Sequence, residues 1–409
     1  MLLLACLPVT GMNWDYSGQL TLRGGWNRVA AESLFHHYLG DSYADASAEL
    51  RLMPEWSHGP HHAVLHYEAV ALNNELLRLP PGLLGSLPGT AYALPDDSRR
   101  LFDLTHVFDG SGKKQSYHRL DRLFYRYSGD WGDLTLGRSA VTWGNGFVFN
   151  PMDLFNPFAP TDVERDYKLG DDLLLLHFYP SGWNGQMDWQ LLVVPRRNPA
   201  SGNLRMDQSS VALKAHLLGS EMEWDFLAAW HYDELVAGIG TLGYLGNAVW
   251  RWDTTLAFPG EGDPLLSTVA NIDYSWTWGG RNWYGSLEFH YNNIGTGDYQ
   301  NIPAEDNLLA RLERGEMYTL GRAYLAPSVQ VELHPLVNLY LAGIVNVEDP
   351  SAVLLPRLVW NMSQNTELTL GANLALGGRG TEFGGIELPG MEGTLKAPGR
   401  VYLWLKAFF

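Results

Sequence analysis

The sequence predicts an all-β protein, a single transmembrane antiparallel β-barrel of about 18 strands, with 16 to 20 the range that uncertain strand ends allow. Three observations point there. Segments of about ten residues alternate apolar and polar side chains from Trp14 to the end, the period of a strand with two different faces. The links between them alternate short and long, as turns on one side of a membrane and loops on the other would. Finally, hydrophobic content reaches 46%, yet no run approaches the roughly 20 apolar residues of a spanning helix.

Taken in order, Tyr16, Gly18, Leu20 and Leu22 share one face of the first strand, opposite Asp15, Ser17, Gln19, Thr21 and Arg23. In 46–56, Ala48, Leu50 and Leu52 point to lipid and Glu49, Arg51 and Glu55 to the lumen. A strand over 61–74 opposes Ala63, Leu65, Tyr67 and Ala69 to His62, His66 and Glu68. Residues 75–116, rich in Leu, Pro, Gly and charge, are too long for a link inside a compact soluble domain and suit an external loop. Fifteen further strands follow near 118–128, 132–143, 171–179, 186–196, 209–219, 221–233, 235–245, 248–258, 265–278, 281–293, 317–333, 336–347, 352–362, 366–377 and 399–409. Short links such as Gly246-Asn247 and His334-Pro335 alternate with long ones at 28–44, 75–116, 144–170, 294–316 and 378–397. An even strand count puts both termini on the turn side. A water-soluble sandwich is the competing architecture. Trp and Tyr at the ends of the apolar faces favour two interfacial girdles, and 16 Trp and 20 Tyr against 15 Phe is the polar-tipped mixture that settles there.

The net charge of −17 argues against a nucleic-acid partner, which needs clustered Lys and Arg. The sole cysteine, Cys6, permits no disulfide, haem attachment or thiolate metal site. It lies in Met1–Met12, an opening that resembles the apolar core of a secretory signal without its basic start; residues 1–12 are read as a signal remnant and 13–409 as one barrel. The five residues before Cys6 are too few for a lipoprotein signal. His58, His61, His62 and His66 sit at a turn and strand with no fixed carboxylate or thiolate, so they read as solvated rather than metal-bound. With no nucleophile elbow or phosphate loop in sight, no cofactor, metal or catalysis is expected.

The final strand carries Val401, Leu403, Leu405 and Ala407 on one face and Arg400, Tyr402, Trp404 and Lys406 on the other, and ends in Phe409. It resembles the closing strand of Gram-negative outer-membrane barrels, whose terminal aromatic is read by the barrel assembly machinery. The run Gly137-Arg-Ser-Ala-Val-Thr-Trp-Gly-Asn-Gly-Phe-Val-Phe-Asn-Pro-Met-Asp-Leu-Phe-Asn-Pro157 is the most irregular stretch. It resembles a motif of porin-like barrels, some of which sheathe electron conduits while others resemble exporters of acidic polysaccharide. Its place after the fifth strand is similar to that of the constriction loop of general porins. The resemblance implies outer-membrane lipid, small solutes, a homotrimer and, in the sheath reading, a multihaem cytochrome as partners.

Loop 144–170 is too apolar (Phe147, Phe149, Met152, Leu154, Phe155, Phe158) for open water, so it is expected to fold inward and narrow or plug the lumen. Strict alternation would put Arg138 in lipid at a cost of about 2–4 kcal/mol, and a bulge at Gly137 would return it to the lumen. The expected constriction comprises Arg122, Arg126, Arg138 and Lys406 on the wall with Trp143, Asn150, Asp153, Asn156, Asp162, Glu164, Arg165, Asp166 and Lys168 from the loop. Cations facing carboxylates would set up a transverse field as charged rings do in channels. Inner-face carboxylates (Glu49, Glu68, Asp188, Glu223, Asp225, Asp253, Asp273, Glu288, Glu332, Glu367) outnumber bases, which leans towards cations. The segment Ala304–Arg314 reads as a short helix in an external loop.

Overall fold

A computed structural model describes residues 12–80, 96–110, 112–155, 168–180, 186–390 and 392–409. Strands β1 (Asn13–Arg28), β2 (Ser42–His58), β3 (His61–Asn73), β4 (Thr105–Asp109), β5 (Lys114–Gly129) and β6 (Gly132–Ser139) come first. They are followed by β7 (Asp171–Phe178), β8 (Met187–Val194), β9 (Ser210–Leu218), β10 (Met222–His231), β11 (Glu234–Leu245), β12 (Ala248–Phe258) and β13 (Leu265–Trp278). The last are β14 (Arg281–Asn292), β15 (Ala323–His334), β16 (Val337–Asn346), β17 (Ser351–Ser363), β18 (Thr366–Leu376) and β19 (Gly399–Phe408). Every strand but β4 pairs antiparallel with its sequence neighbours, β3 joins β5, and β1 pairs with both β2 and β19, so eighteen strands close a barrel. Closure leaves the barrel wall without an edge strand, the condition for burying a sheet in hydrocarbon.

Alternation gives the wall its two faces. On β19, Val401, Leu403 and Leu405 are exposed to the outside while Tyr402, Trp404 and Lys406 are buried within. On β18, Leu370, Leu374 and Leu376 oppose Thr369 in the same way. Trp14, Trp131, Tyr244, Trp278 and Trp360 lie exposed beside the short turns, forming the aromatic belt expected where a bilayer meets water. The seam is tight: the Gly18 N–H donates to the Phe409 carbonyl at 2.7 Å, the Phe409 N–H donates back at 3.0 Å, and a Cβ on Gly18 would lie 2.3 Å from the Phe409 ring.

Three expectations are corrected. The bulge sits not at Gly137 but one strand earlier, where β5 shifts register against β3 between His66 and Tyr67 so that Asp121 and Arg122 both turn inward. Gly137 keeps an unbroken register with β5 and β7 and redirects Arg138 through a φ of 125°, a conformation glycine adopts without strain. Strand β6 ends at Ser139, before Trp143, and β15 begins at Ala323 rather than near 317. The long link after β3 also contains order the sequence concealed: a 3-10 turn at Glu75–Arg78 and β4, which pairs with Thr105 opposite Arg119 on β5.

That strand has a structural task. β6, β7 and β8 have only 8 residues each, below the 9–11 of a typical spanning strand. Beyond the end of β6, β4 takes over the free edge of β5, and residues 96–104 fill the space above. Here Arg138 is clamped, its guanidinium 2.9 and 3.0 Å from the two Asp172 oxygens, 3.0 Å from Asp97 and 2.6 Å from the Phe102 carbonyl. Although burial pushes the Asp97 carboxyl up, Arg100, Arg138 and the Leu104 N–H outweigh it and hold it at about 2.

Candidate lumen site: an inward segment on a charged wall

After Ser139 the chain leaves the sheet and runs inside the barrel. The Trp143 indole N–H donates to Gln190 Oε1 on β8 at 2.7 Å. The Asn145 backbone and side chain donate to Asp253 on β12, the latter at 2.8 Å. Three successive N–H groups, of Phe147, Val148 and Phe149, then point at the Glu288 carboxylate on β14 at 2.6, 3.0 and 2.8 Å. Asn271 on β13 braces both anchors, donating to the Asn145 carbonyl at 3.0 Å and to Glu288 at 3.1 Å. Phe149 stacks on His290 at 4.4 Å between ring centres and on Tyr324 of β15 at 5.2 Å. Residues 143–149 therefore sweep past the strands from β8 to β15, held by wall carboxylates that accept otherwise orphaned backbone donors.

The return path is apolar. Met152 is fully buried and Phe155 nearly so, among inward-facing Leu173, Leu192, Val194, Ala212, Leu227, Ala229 and Val236. A water-filled lumen would not favour these residues, and the segment covers them. The sequence signal lay in the wall: β7 reads Leu173-Leu-Leu-Leu176 and β8 reads Leu191-Leu-Val-Val194, apolar on both faces where one face should be polar. At Lys168 the chain is back beside β5, its ammonium on Asp153 and its carbonyl accepting from Arg122.

The expected constriction residues separate accordingly. Arg122 faces inward and holds both Asp121 and the end of the inward segment. Arg126 also faces in, bonding Thr135 at 3.1 Å with its guanidinium 5.5 Å from the Phe124 ring. Arg138 is not a lumen cation; its charge is consumed between wall and rim by Asp97 and Asp172. Trp143 and Asn150 are parts of the segment's own packing, and Asp153 pairs with Lys168. Lys406 lies on the far wall, 4.0 Å from Glu367 and 6.0 Å from the Trp404 ring centre. Asn156, Asp162, Glu164, Arg165 and Asp166 lie outside the described residues. Phe409 occupies the seam.

The wall facing the segment carries a matched ladder. Arg23 meets Glu49 at 2.8 Å, Arg51 meets Glu68 at 3.1 Å and Asp121 at 2.8 Å, and Glu68 also holds Arg119. The inner-face carboxylates are thus largely spoken for: Asp225 by Lys214 at 2.9 Å, Asp273 by Arg251, Asp188 by His177 at 2.8 Å, Asp253 and Glu288 by the segment. Counting acids against bases therefore overstates the field a solute meets.

One unforeseen cluster joins wall, segment and outer loop. Ser210 Oγ lies 2.8 Å from His231 Nδ1, and His231 Nε2 lies 3.2 Å from Glu316. The sequence of groups is that of nucleophile, base and acid. Its setting is structural instead, because Ser210 is 1% exposed and its oxygen already accepts from Arg196 at 2.8 Å. With the ring proton on Nε2, His231 would accept from the Ser210 hydroxyl and donate to Glu316.

No family model matches the chain, and no curated protein does. Solved structures do, over nearly its whole length. Pseudomonas aeruginosa OccK5 superposes with TM-score 0.55 at 8% identity, covering 97% of this chain and 98% of that one. Acinetobacter baumannii OccAB2 gives 0.52 at 11%, covering 97% and 98%. Wzi of Escherichia coli, an outer-membrane carbohydrate-binding β-barrel involved in capsule assembly, gives 0.53 at 9%, covering 95% and 83%. The fold is that of the porin-like barrels of Gram-negative outer membranes.

Proposed function

We propose that this barrel is a passive diffusion channel of the outer membrane for small hydrophilic or ionic solutes, inserted by the barrel assembly machinery and without catalysis or cofactor. The observation that carries the reading is the inward segment 141–155, docked inside the barrel on the strands from β8 to β15, with the paired charges of Arg23, Arg51 and Arg119 on the wall opposite. Selection is then geometric, with electrostatics set by small imbalances in a nearly matched wall. We read the channel as weakly selective with a slight cation preference, and as a trimer by likeness to general porins. Deleting 147–165 should raise single-channel conductance in planar bilayers; an unchanged unit current rejects the segment as the constriction. A reversal potential in a salt gradient reports the selectivity.

A second reading, a barrel serving a surface complex, draws on the covered mouth described below. Such a complex is an acidic-polysaccharide exporter or a sheath around a multihaem cytochrome. Silence in bilayers together with a co-purifying haem protein or glycan favours it.

A further inference from the structure

We propose that residues 293–322 form a flap over the loop-end mouth, closed in this structure and lifting as a unit to admit solute; this rests on the channel reading. The segment leaves the rim between β14 and β15 and returns beside itself. Its neck is closed by the Thr296 N–H donating to the Leu320 carbonyl at 2.7 Å and by Arg322 donating to the Gly295 carbonyl at 2.8 Å. Joined ends make a hinged loop rather than a strap tied at two points.

Its tip crosses the opening. Helix Asp306–Arg314 reaches Arg99, in the link between β3 and β5, where Arg99 lies 2.6 Å from Glu313. Arg99 is itself held on the β8–β9 link, its carbonyl accepting from the Arg197 N–H at 2.9 Å and its guanidinium donating to Gln208 at 3.1 Å, so the tip meets the β8–β9 side of the opening. On the underside, buried Leu308 and Ile302 pack with Phe35 and Leu39 from the link after β1, Leu76 from the link after β3 and Ile386 from the link after β18. On the third side the flap is latched to the β10–β11 hairpin. Arg311 pairs with Glu234, Arg314 lies 2.7 Å from Glu316 with its guanidinium 4.6 Å from the Tyr232 ring, and Glu316 meets His231. These docking contacts, a buried apolar cluster and ion pairs, are made by side chains, whereas the neck is backbone-paired. That asymmetry is what a hinge requires.

The test introduces Arg99→Cys and Glu313→Cys with Cys6→Ser, then bridges the pair with a reducible bifunctional thiol reagent. Two readouts are taken: unit current in planar bilayers and hydrogen exchange of the 306–314 amides. Bridging should cut the current at least tenfold and slow exchange across the helix together, and reduction should restore both. Full bridging, confirmed by mass, with current and exchange both unchanged overturns the flap. Exchange that responds to bridging in a protein that never conducts upholds the flap and removes the channel reading instead.

Discussion

Replacing Glu288 with alanine should release the inward segment locally while the barrel stays folded. The carboxylate is 1% exposed and accepts four hydrogen bonds, three of them from the consecutive N–H groups of Phe147, Val148 and Phe149. A buried donor left without a partner costs about 1–3 kcal/mol. Three would cost up to about 9 kcal/mol if the geometry were frozen, but water entering the vacated space relieves most of it, so a net loss of about 3–5 kcal/mol is expected. At about 1.4 kcal/mol per tenfold, that shifts the local docking equilibrium by roughly 10² to 4 × 10³. The segment would remain tethered by Asn145 on Asp253 and by Met152 and Phe155 in their apolar seat. The consequence is faster amide exchange confined to about 145–150, and noisier, larger unit currents, with the thermal transition of the barrel moved little. Glu288→Gln keeps one acceptor oxygen and should fall between the two. Unchanged exchange and current in Glu288→Ala would refute the claim that this carboxylate holds the segment.

Leu370→Arg, at mid-strand on the outer face, should lower folding stability in bilayers by about 2–4 kcal/mol, read by urea titration of refolding into vesicles; no effect would place that face in water. Gly18→Ala should strain the closing seam by about 1–3 kcal/mol, lowering the temperature at which the folded band is lost on gels. Asp97→Asn should cost about 1–2 kcal/mol near neutral pH, allowing for screening at the rim. Because Asp97 is held at about 2, below the usual carboxylate range, its contribution is complete above about pH 4 and fades as pH falls through 2. The stability gap between variant and parent should therefore narrow on acidification, and a gap that widens would contradict the pairing.

The strand plan was legible because it is written in a period of two. Leu368, Leu370 and Leu374 against Thr369 and Asn373 state which face meets lipid, and closure between β1 and β19 follows from an even count. The helix near 304–314 and the inward course of the apolar loop were readable for related reasons of pattern and composition. What the loop touches was not. Asp253 and Glu288 stood in the sequence as two more inner-face acids, and nothing local distinguishes them from Glu49 or Asp273, which hold arginines. Arg138 looked like a lumen cation because its acceptors, Asp97 and Phe102, lie some 36 to 41 residues away in a link with no periodicity.

The sequence by itself determined the eighteen strands of the wall, their two faces and the solvent each face meets, since these depend on neighbours one or two positions apart. Here only tertiary structure decided which charges remain for a solute, where the inward segment anchors and what covers the mouth. Those outcomes depend on pairings between groups far apart in the chain, and an ion pair neutralises a charge whatever its address.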